Sequence, residues 1–436
     1  MEELLKMAQK KAEQVEIFAL DQKFNEVSFE NAQLHEIATG YRSGVSLRII
    51  KDKKLGFAYT RNLINPEELI QNALASLVGN VLAEYELPYT NAQELPKLDT
   101  YDESIEEITS TQMVKECERV CDILKPSGAE IFVWAFTYSN NLRILNHRGT
   151  DLHSKSSLFG IGAKLTFPGT AAGIYRMWFA KKFEPMPDNL INELALLYQI
   201  GLKEVKITPG KMKVLFMPND MYTLNWRFMS GTSGKSVYEK ISPIAEKLGE
   251  KIFSEKITIY DDPLNDQYPQ ARAFDDEGVK TQKLILVENG VLKSFYYDLN
   301  YAQKLGTKST GNGYRTGQWE TDPLALKPTP SLEYLQYKPG EKTIAEIIAN
   351  LDRGIIIEGA LGAHSGNIPN GDFSIGANPA LYVENGEIVG QVKDVMVAGN
   401  IYEIYKNVIE VSKDTYPSSS GVMPGILFDY VTVATK

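Results

Sequence analysis

The chain has 436 residues, 43% of them hydrophobic, enough to fill the cores of about two or three domains. Forty-six basic residues against 56 acidic ones give a net charge of −10, and no Lys/Arg block is longer than Lys53-Lys54 or Lys181-Lys182. A nucleic-acid or membrane-surface binder concentrates its cations in a patch, so neither nucleic acid nor membrane is an expected partner.

The first residues carry Glu2 and Glu3 where a signal peptide is basic, and no apolar run approaches the ~18 residues of a membrane span. A cytoplasmic protein is expected. Leu4, Leu5, Ala8, Ala12 and Val15 recur at helical spacing and predict a first amphipathic helix. The period then changes to two, and strands are expected at 15–19, 26–29, 44–49 and 55–59. Asn65 as N-cap and Pro66 at the first helical position open a helix through Leu69, Ile70, Ala73, Leu74 and Leu77. Residues 1–85 thus form an N-terminal α/β subdomain.

Residues 86–104 carry Pro88, Pro96 and scattered acids without period, and are read as a linker. A central α+β subdomain is expected at 105–210. Its first helix holds Cys117 and Cys121 on the face of Val114, Val120 and Leu124, where free cysteines behave as small buried hydrophobes. Strands follow at 131–138, 141–145, 157–167 and 174–179, and Asp188 is expected to cap a helix bearing Leu190, Ile191, Leu194 and Leu197.

Residues 211–436 form the third unit. A strand at 213–217 precedes a helical stretch at 221–229, and strands are expected at 257–260, 284–287, 291–297 and 426–433. Asn289-Gly290 and Asn385-Gly386 are both signals for two-residue hairpin turns, and Thr343 with Glu346 makes a capping box. The fold class is therefore α+β: an N-terminal α/β half and a mainly antiparallel β C-terminal half with flanking helices. Residues 306–317, rich in Gly, Thr and Ser, contain Tyr314 and Arg315 and read either as a functional loop or as a lid.

The densest glycine stretch is 359–400. It contains His364-Ser365-Gly366-Asn367, Gly371-Asp372-Phe373-Ser374, Glu384-Asn385-Gly386-Glu387 and Ala398-Gly399-Asn400. With Leu248-Gly249-Glu250 and Tyr260-Asp261-Asp262-Pro263 upstream, this order of landmarks closely resembles the C-terminal domain of the TldD/PmbA family, over about half the chain. The family is one of zinc metallopeptidases working as TldD/TldE (PmbA) pairs, and also carries the label modulator of DNA gyrase. The charge balance lends that label no support.

In the TldD branch, His-Glu-x-x-x-His shortly before Leu-Gly-Glu and a Cys near the C-terminus make the zinc site. A zinc-peptidase site of this kind joins imidazoles to a carboxylate that activates the metal-bound water. The matching window here is 224–230, with Asn225 and Ser230 where the two His would stand. Tyr416-Pro417-Ser418-Ser419-Ser420-Gly421 occupies the region of the Cys. The four His of the chain, His35, His147, His153 and His364, fall elsewhere; Thr39 and Gly40 stand where a second His would follow His35-Glu36. The resemblance therefore implies a PmbA/TldE-like chain with no catalytic or metal-ligating residue and no cofactor of its own. Zinc is expected only in a partner bearing His-Glu-x-x-x-His.

His364, Ser365, Asn367, Asp372 and Arg315 are the candidate cleft or substrate-binding residues. His364 beside Ser365 and Asp372 suggests a hydrolase triad, a cleft-wall group or a loop hydrogen-bond donor, but no Gly-x-Ser-x-Gly elbow exists to support the first. Ser230 to Ser236 resembles a phosphate loop but has Met229 where its first Gly is needed. Asp261-Asp262 has no His partner nearby and reads as a strand-end turn. The expected role is the metal-free subunit of a TldD/TldE-type metallopeptidase acting on unfolded peptides, paired with a TldD-like chain or with itself as a dimer. The alternative is a self-associating peptide-binding protein without catalysis.

Overall fold

The computed structural model describes residues 1–170, 172–317, 322–418 and 421–435. The N-terminal half is built on a six-stranded antiparallel sheet in the order β3-β2-β1-β4-β5-β6. Its strands are β1 (Gln14–Glu30), β2 (Gln33–Lys51), β3 (Lys54–Thr60), β4 (Glu130–Asn146), β5 (Asp151–Thr166) and β6 (Gly173–Ala180). The strands expected separately at 15–19 and 26–29 are one strand, as are those at 131–138 and 141–145. The polar stretch between the first two does not turn because it is paired on both sides: Asp21 faces Ser43 of β2 and Asn141 of β4. A backbone whose N–H and C=O groups are engaged by two neighbours stays extended whatever its side chains.

The same pairing shows that the units read as 1–85 and 105–210 share one sheet, three strands from each. The stretch read as a linker runs against that sheet: Leu87 is buried, Ser157 N donates to Thr100 O, and Asp102 N donates to Ser157 Oγ at 2.9 Å. The composition shift at 86–104 thus marks a crossing inside one body and not a boundary.

Odd-numbered residues of β1 and β4 face helices. At one end α1 (Glu2–Gln9) and α2 (Pro66–Ala75) cover Val15, Ile17, Val45, Leu47 and Ile49. At the other end α3 (Ser110–Leu124) and α4 (Asp188–Gly201) cover Val27, Phe29, Ile131, Val133 and Ile161. A Thr109/Gln112 capping box opens α3, and its apolar stripe buries Met113, Cys117, Val120, Cys121 and Leu124. Each such Leu or Val contributes about 1.5–3 kcal/mol by leaving water. Both cysteines are free, and burial pushes their thiols up, Cys121 to about 11 and Cys117 further, so neither is a thiolate at neutral pH. Asp188 does not cap α4: Pro187 holds the cap position, and the Asp188 carboxylate pairs with Arg119 instead.

The second sheet occupies the C-terminal half. From one edge it runs Val291–Leu292, Leu284–Glu288, Ile259–Asp261, Leu335–Tyr337, Gly421–Ala434, Gly210–Phe216, Arg353–Ile357, Ala380–Glu384 and Glu387–Val392. Only two neighbours along this path are parallel, Leu335–Tyr337 with Gly421–Ala434 and Gly210–Phe216 with Arg353–Ile357, so the α+β reading with mainly antiparallel sheets holds. Both Asn-Gly pairs make their turns with both residues left-handed, Asn289 at φ 47° and Gly290 at 79°, Asn385 at 51° and Gly386 at 82°.

One face of this sheet contributes Leu215, Ile356, Leu381 and Leu427 to the core under α3 and α4; the other packs on the helix α5 (Tyr222–Thr232). Among the described residues no helix is long and apolar enough to cross a membrane.

Candidate functional site

The glycine-rich loop is built around one arginine. Short pairing between Ala360–Leu361 and Gly376–Ala377 closes its base, and Asp372–Ala377 pairs with Val395–Asn400. Across the base comes Arg227 of α5, a fully buried side chain. Its Nε donates to Asp372 O at 2.7 Å, Nη1 to Ala363 O at 2.9 Å and to Thr223 O, and Nη2 to Ser365 O at 2.6 Å. Burial pulls the guanidinium down to about 10, with the nearby Asp372 charge opposing, and it stays charged at neutral pH. A planar fork of donors suits this task because one side chain can hold several carbonyls at fixed angles.

Four of the five sequence candidates lie on this loop. Asp372 is a brace: its carboxylate accepts from Asn400 Nδ2 at 2.8 Å and Asn370 Nδ2 at 3.0 Å, and these bonds hold it below the usual carboxylate range. Asn367 caps the turn, its Oδ1 accepting from Asn370 N at 3.3 Å. Ser365 is half-buried, and its contribution is the carbonyl given to Arg227. His364 is exposed, and among the described residues no hydrogen bond links it to Ser365 or Asp372, so a triad is not assembled. His364→Ala is expected to leave the unfolding free energy within ~0.5 kcal/mol of wild type, because an exposed side chain carries no buried partner. A loss above ~2 kcal/mol in denaturant unfolding would contradict this.

Arg315 stands apart from the loop. It is buried against the N-terminal sheet, donating to Ser46 Oγ at 3.0 Å and Leu326 O at 2.7 Å and lying 3.3 Å from Glu16. Arg48 completes the group, bidentate to Glu16 and 2.7 Å from Glu277. Two cations and two carboxylates thus bolt β1 and β2 to the C-terminal half. Arg315 belongs to this brace, apart from the loop that carries the other four candidates.

The window 224–230 does lie on a helix, but its residues do not suit zinc. Asn225 is buried, its Oδ1 accepting from Tyr337 OH at 2.7 Å and its Nδ2 3.1 Å from Met423 Sδ; Tyr337 in turn meets Tyr405 OH at 3.0 Å. A carboxamide, a thioether and two phenols whose acidity burial suppresses form a core cluster without an anionic or imidazole ligand. Among the described residues no group of three or more His, Cys, Asp or Glu side chains could hold a metal ion. Ser419 and Ser420, in the region of the family cysteine, lie outside the described residues. The other histidines are scattered: His147 accepts from Val15 N, His153 neighbours Asp151, and His35 neighbours Glu30.

Arg227, the residue that organises this loop, was missed in the sequence. Its signal was present: Leu224, Phe228 and Gly231 form a core stripe at helical spacing, and Arg227 stands on that stripe where an apolar residue is the rule.

Residues 209–435 match the family described as PmbA/TldA metallopeptidase C-terminal domain, and residues 15–77 match PmbA/TldA metallopeptidase domain 1. An uncharacterized protein of Methanocaldococcus jannaschii is 27% identical, with 98% of each chain covered. A metalloprotease of the same organism is 26% identical over 89% of this chain and 87% of its own. The solved structure of TldE from Thermococcus kodakarensis superposes with a TM-score of 0.88 at 26% identity, covering 100% of this chain and 99% of that one. With more than half of its length matched by the C-terminal domain alone and the fold shared end to end, the chain belongs to the PmbA/TldD family of metallopeptidase-related proteins.

Proposed function

We propose that the chain is the TldE-like, metal-free subunit of a two-chain metallopeptidase that degrades unfolded peptides in the cytoplasm. The observation carrying this reading is the state of α5. Where the resemblance puts His-Glu-x-x-x-His, the chain has Asn225, Trp226 and Ser230, and Asn225 is tied into the core by Tyr337 and Met423. The likeness to TldE of Thermococcus kodakarensis supports the same branch. A helix that has lost its ligands but kept its place suits a subunit that shapes a chamber while its partner brings zinc and the general base.

The test is metal analysis and light scattering on the purified chain, alone and mixed with a family member bearing His-Glu-x-x-x-His. Alone, the chain is expected to hold no stoichiometric zinc and to hydrolyse no peptide. In the mixture a complex of two chains forms, and zinc and peptidase activity co-elute with it. About one zinc per chain after dialysis, or a monomer of 48.8 kDa unchanged by the partner, would overturn the reading. A self-associated dimer that binds peptides but ignores the partner would favour the non-catalytic alternative.

A further inference from the structure

Between the even-numbered face of β1, β4 and β5 and the C-terminal half lie two adjoining cavities of about 280 and 140 Å³, which share Gln270, Glu333 and Tyr334 in their walls. Buried polar groups without partners line both. Gln336 is only 6% exposed, its Nε2 has no hydrogen-bond partner among the described residues, and it lines the smaller cavity together with Glu333. Tyr314 is 2% exposed, its hydroxyl has no partner among the described residues, and it lines the larger cavity together with Glu333. Leaving such a donor or acceptor unmatched costs roughly 1–3 kcal/mol, a cost a ligand offering the complementary group removes.

The charges in the cleft are unequal. Arg272 pairs with Asp276 at 2.8 Å, whereas the Glu333 carboxylate accepts one hydrogen bond, from Ser331 Oγ at 2.6 Å, and has no ion pair among the described residues. Burial, and the neighbouring Asp276 charge, push the Glu333 carboxyl up. When ionised, Glu333 has Arg272 for a neighbouring cation, and that guanidinium is already paired with Asp276. The wall on the side of Gln336 is apolar, formed by Leu158, Phe179 and Pro417.

We propose that this cleft holds the free amino terminus of a peptide. The α-ammonium pairs with Glu333 and donates to the Tyr314 hydroxyl, the first peptide carbonyl accepts from Gln336 Nε2, and the first side chain rests against Leu158 and Phe179. The inference rests on the chain being a peptide-handling subunit and adds which end of the peptide it recognises. A lysine side chain offers the same ammonium, but its four methylenes carry no carbonyl next to it and leave Gln336 unmatched.

Binding of a pentapeptide Ala-Leu-Ala-Leu-Ala, fluorescein-labelled at its C-terminus, to the full chain is read by anisotropy at pH 7.5. Three forms are compared: free amino terminus, N-acetylated, and N-acetylated with Lys in the second position. The free form is expected to bind at least tenfold more tightly than either acetylated form. Glu333→Gln, which keeps the shape of the side chain, is expected to bring all three to the affinity of the acetylated peptide. Equal binding of free and acetylated peptides to the wild-type chain overturns the amino-terminus site while leaving peptide handling intact. Tight binding of the acetylated lysine form shows a general ammonium site and also overturns it. No binding of any form removes the peptide-handling reading and this proposal with it. The acetylation comparison on wild type needs no variant, so a poorly folding substitution does not blunt it.

Discussion

Arg227→Met is expected to destabilise the chain by about 2–5 kcal/mol and to loosen residues 362–371. Two opposed terms set the size. A guanidinium taken out of water carries a desolvation cost of roughly several kcal/mol that methionine would relieve. Against it stand three bonds from a charged donor to carbonyls outside its own helix, Ala363, Ser365 and Asp372, at about 1.5–3 kcal/mol each. The bonds win. Methionine also leaves those carbonyls buried beside an apolar chain, and the loop loses the centre around which it is ordered. Arg227→Lys keeps the charge but not the fork, and should fall between the two. Denaturant unfolding gives the energy, and limited proteolysis should show new cleavage within 362–371 while the rest of the chain resists. Unfolding of the methionine variant within ~1 kcal/mol of wild type would show that the loop is held by its own turns.

What the sequence revealed, and what it hid, follows from the range of the interactions. The turns at Asn289-Gly290 and Asn385-Gly386 and the capping box at Thr343 and Glu346 were legible because each is decided within about four residues. The long strands were not: whether residues 20–25 bend or stay extended is decided by partners on β2 and β4, and no local pattern encodes that. Arg315 was read as a loop residue because its neighbours are Gly and Thr. Its partners Glu16 and Ser46 stand 299 and 269 residues away along the chain, and only the fold brings them together. The zinc window was placed on a helix by its resemblance and its apolar spacing, but that Asn225 would bond to Tyr337, 112 residues further on, had no sequence signal. Glu333 and Gln336 belong to no motif. They became visible only in the wall of a cavity, Gln336 Nε2 without a hydrogen-bond partner and Glu333 without an ion pair among the described residues.

Arg48→Met is expected to be the most damaging single change to the junction of the two halves, at about 3–5 kcal/mol. Arg48 is fully buried between Glu16 and Glu277, with bonds of 2.6 and 3.1 Å to the first and 2.7 Å to the second. Among the described residues, removing the cation leaves Glu16 facing Arg315 alone, at 3.3 Å, and Glu277 with only the Leu299 N–H at 2.7 Å on its carboxylate. An uncompensated buried charge is the costly outcome of breaking such a pair, far more than the pair is worth intact. The variant also carries a pH signature. Burial already raises the Glu277 carboxyl above its ordinary value of 4.5, and the Arg48 charge is the chief influence holding it down. Without Arg48 the folded state keeps that proton to higher pH, while the unfolded state releases it near 4.5. The unfolded state is then favoured progressively as pH rises, so the deficit against wild type should grow from pH 5 to pH 8. Glu277→Gln on top of Arg48→Met should recover part of the loss and flatten the pH dependence. Equilibrium unfolding of the three variants across that range is the measurement. A deficit that shrinks as pH rises, or a second substitution that adds its full cost to the first, would mean that Arg48 acts through packing and not through the charge it shares with Glu277.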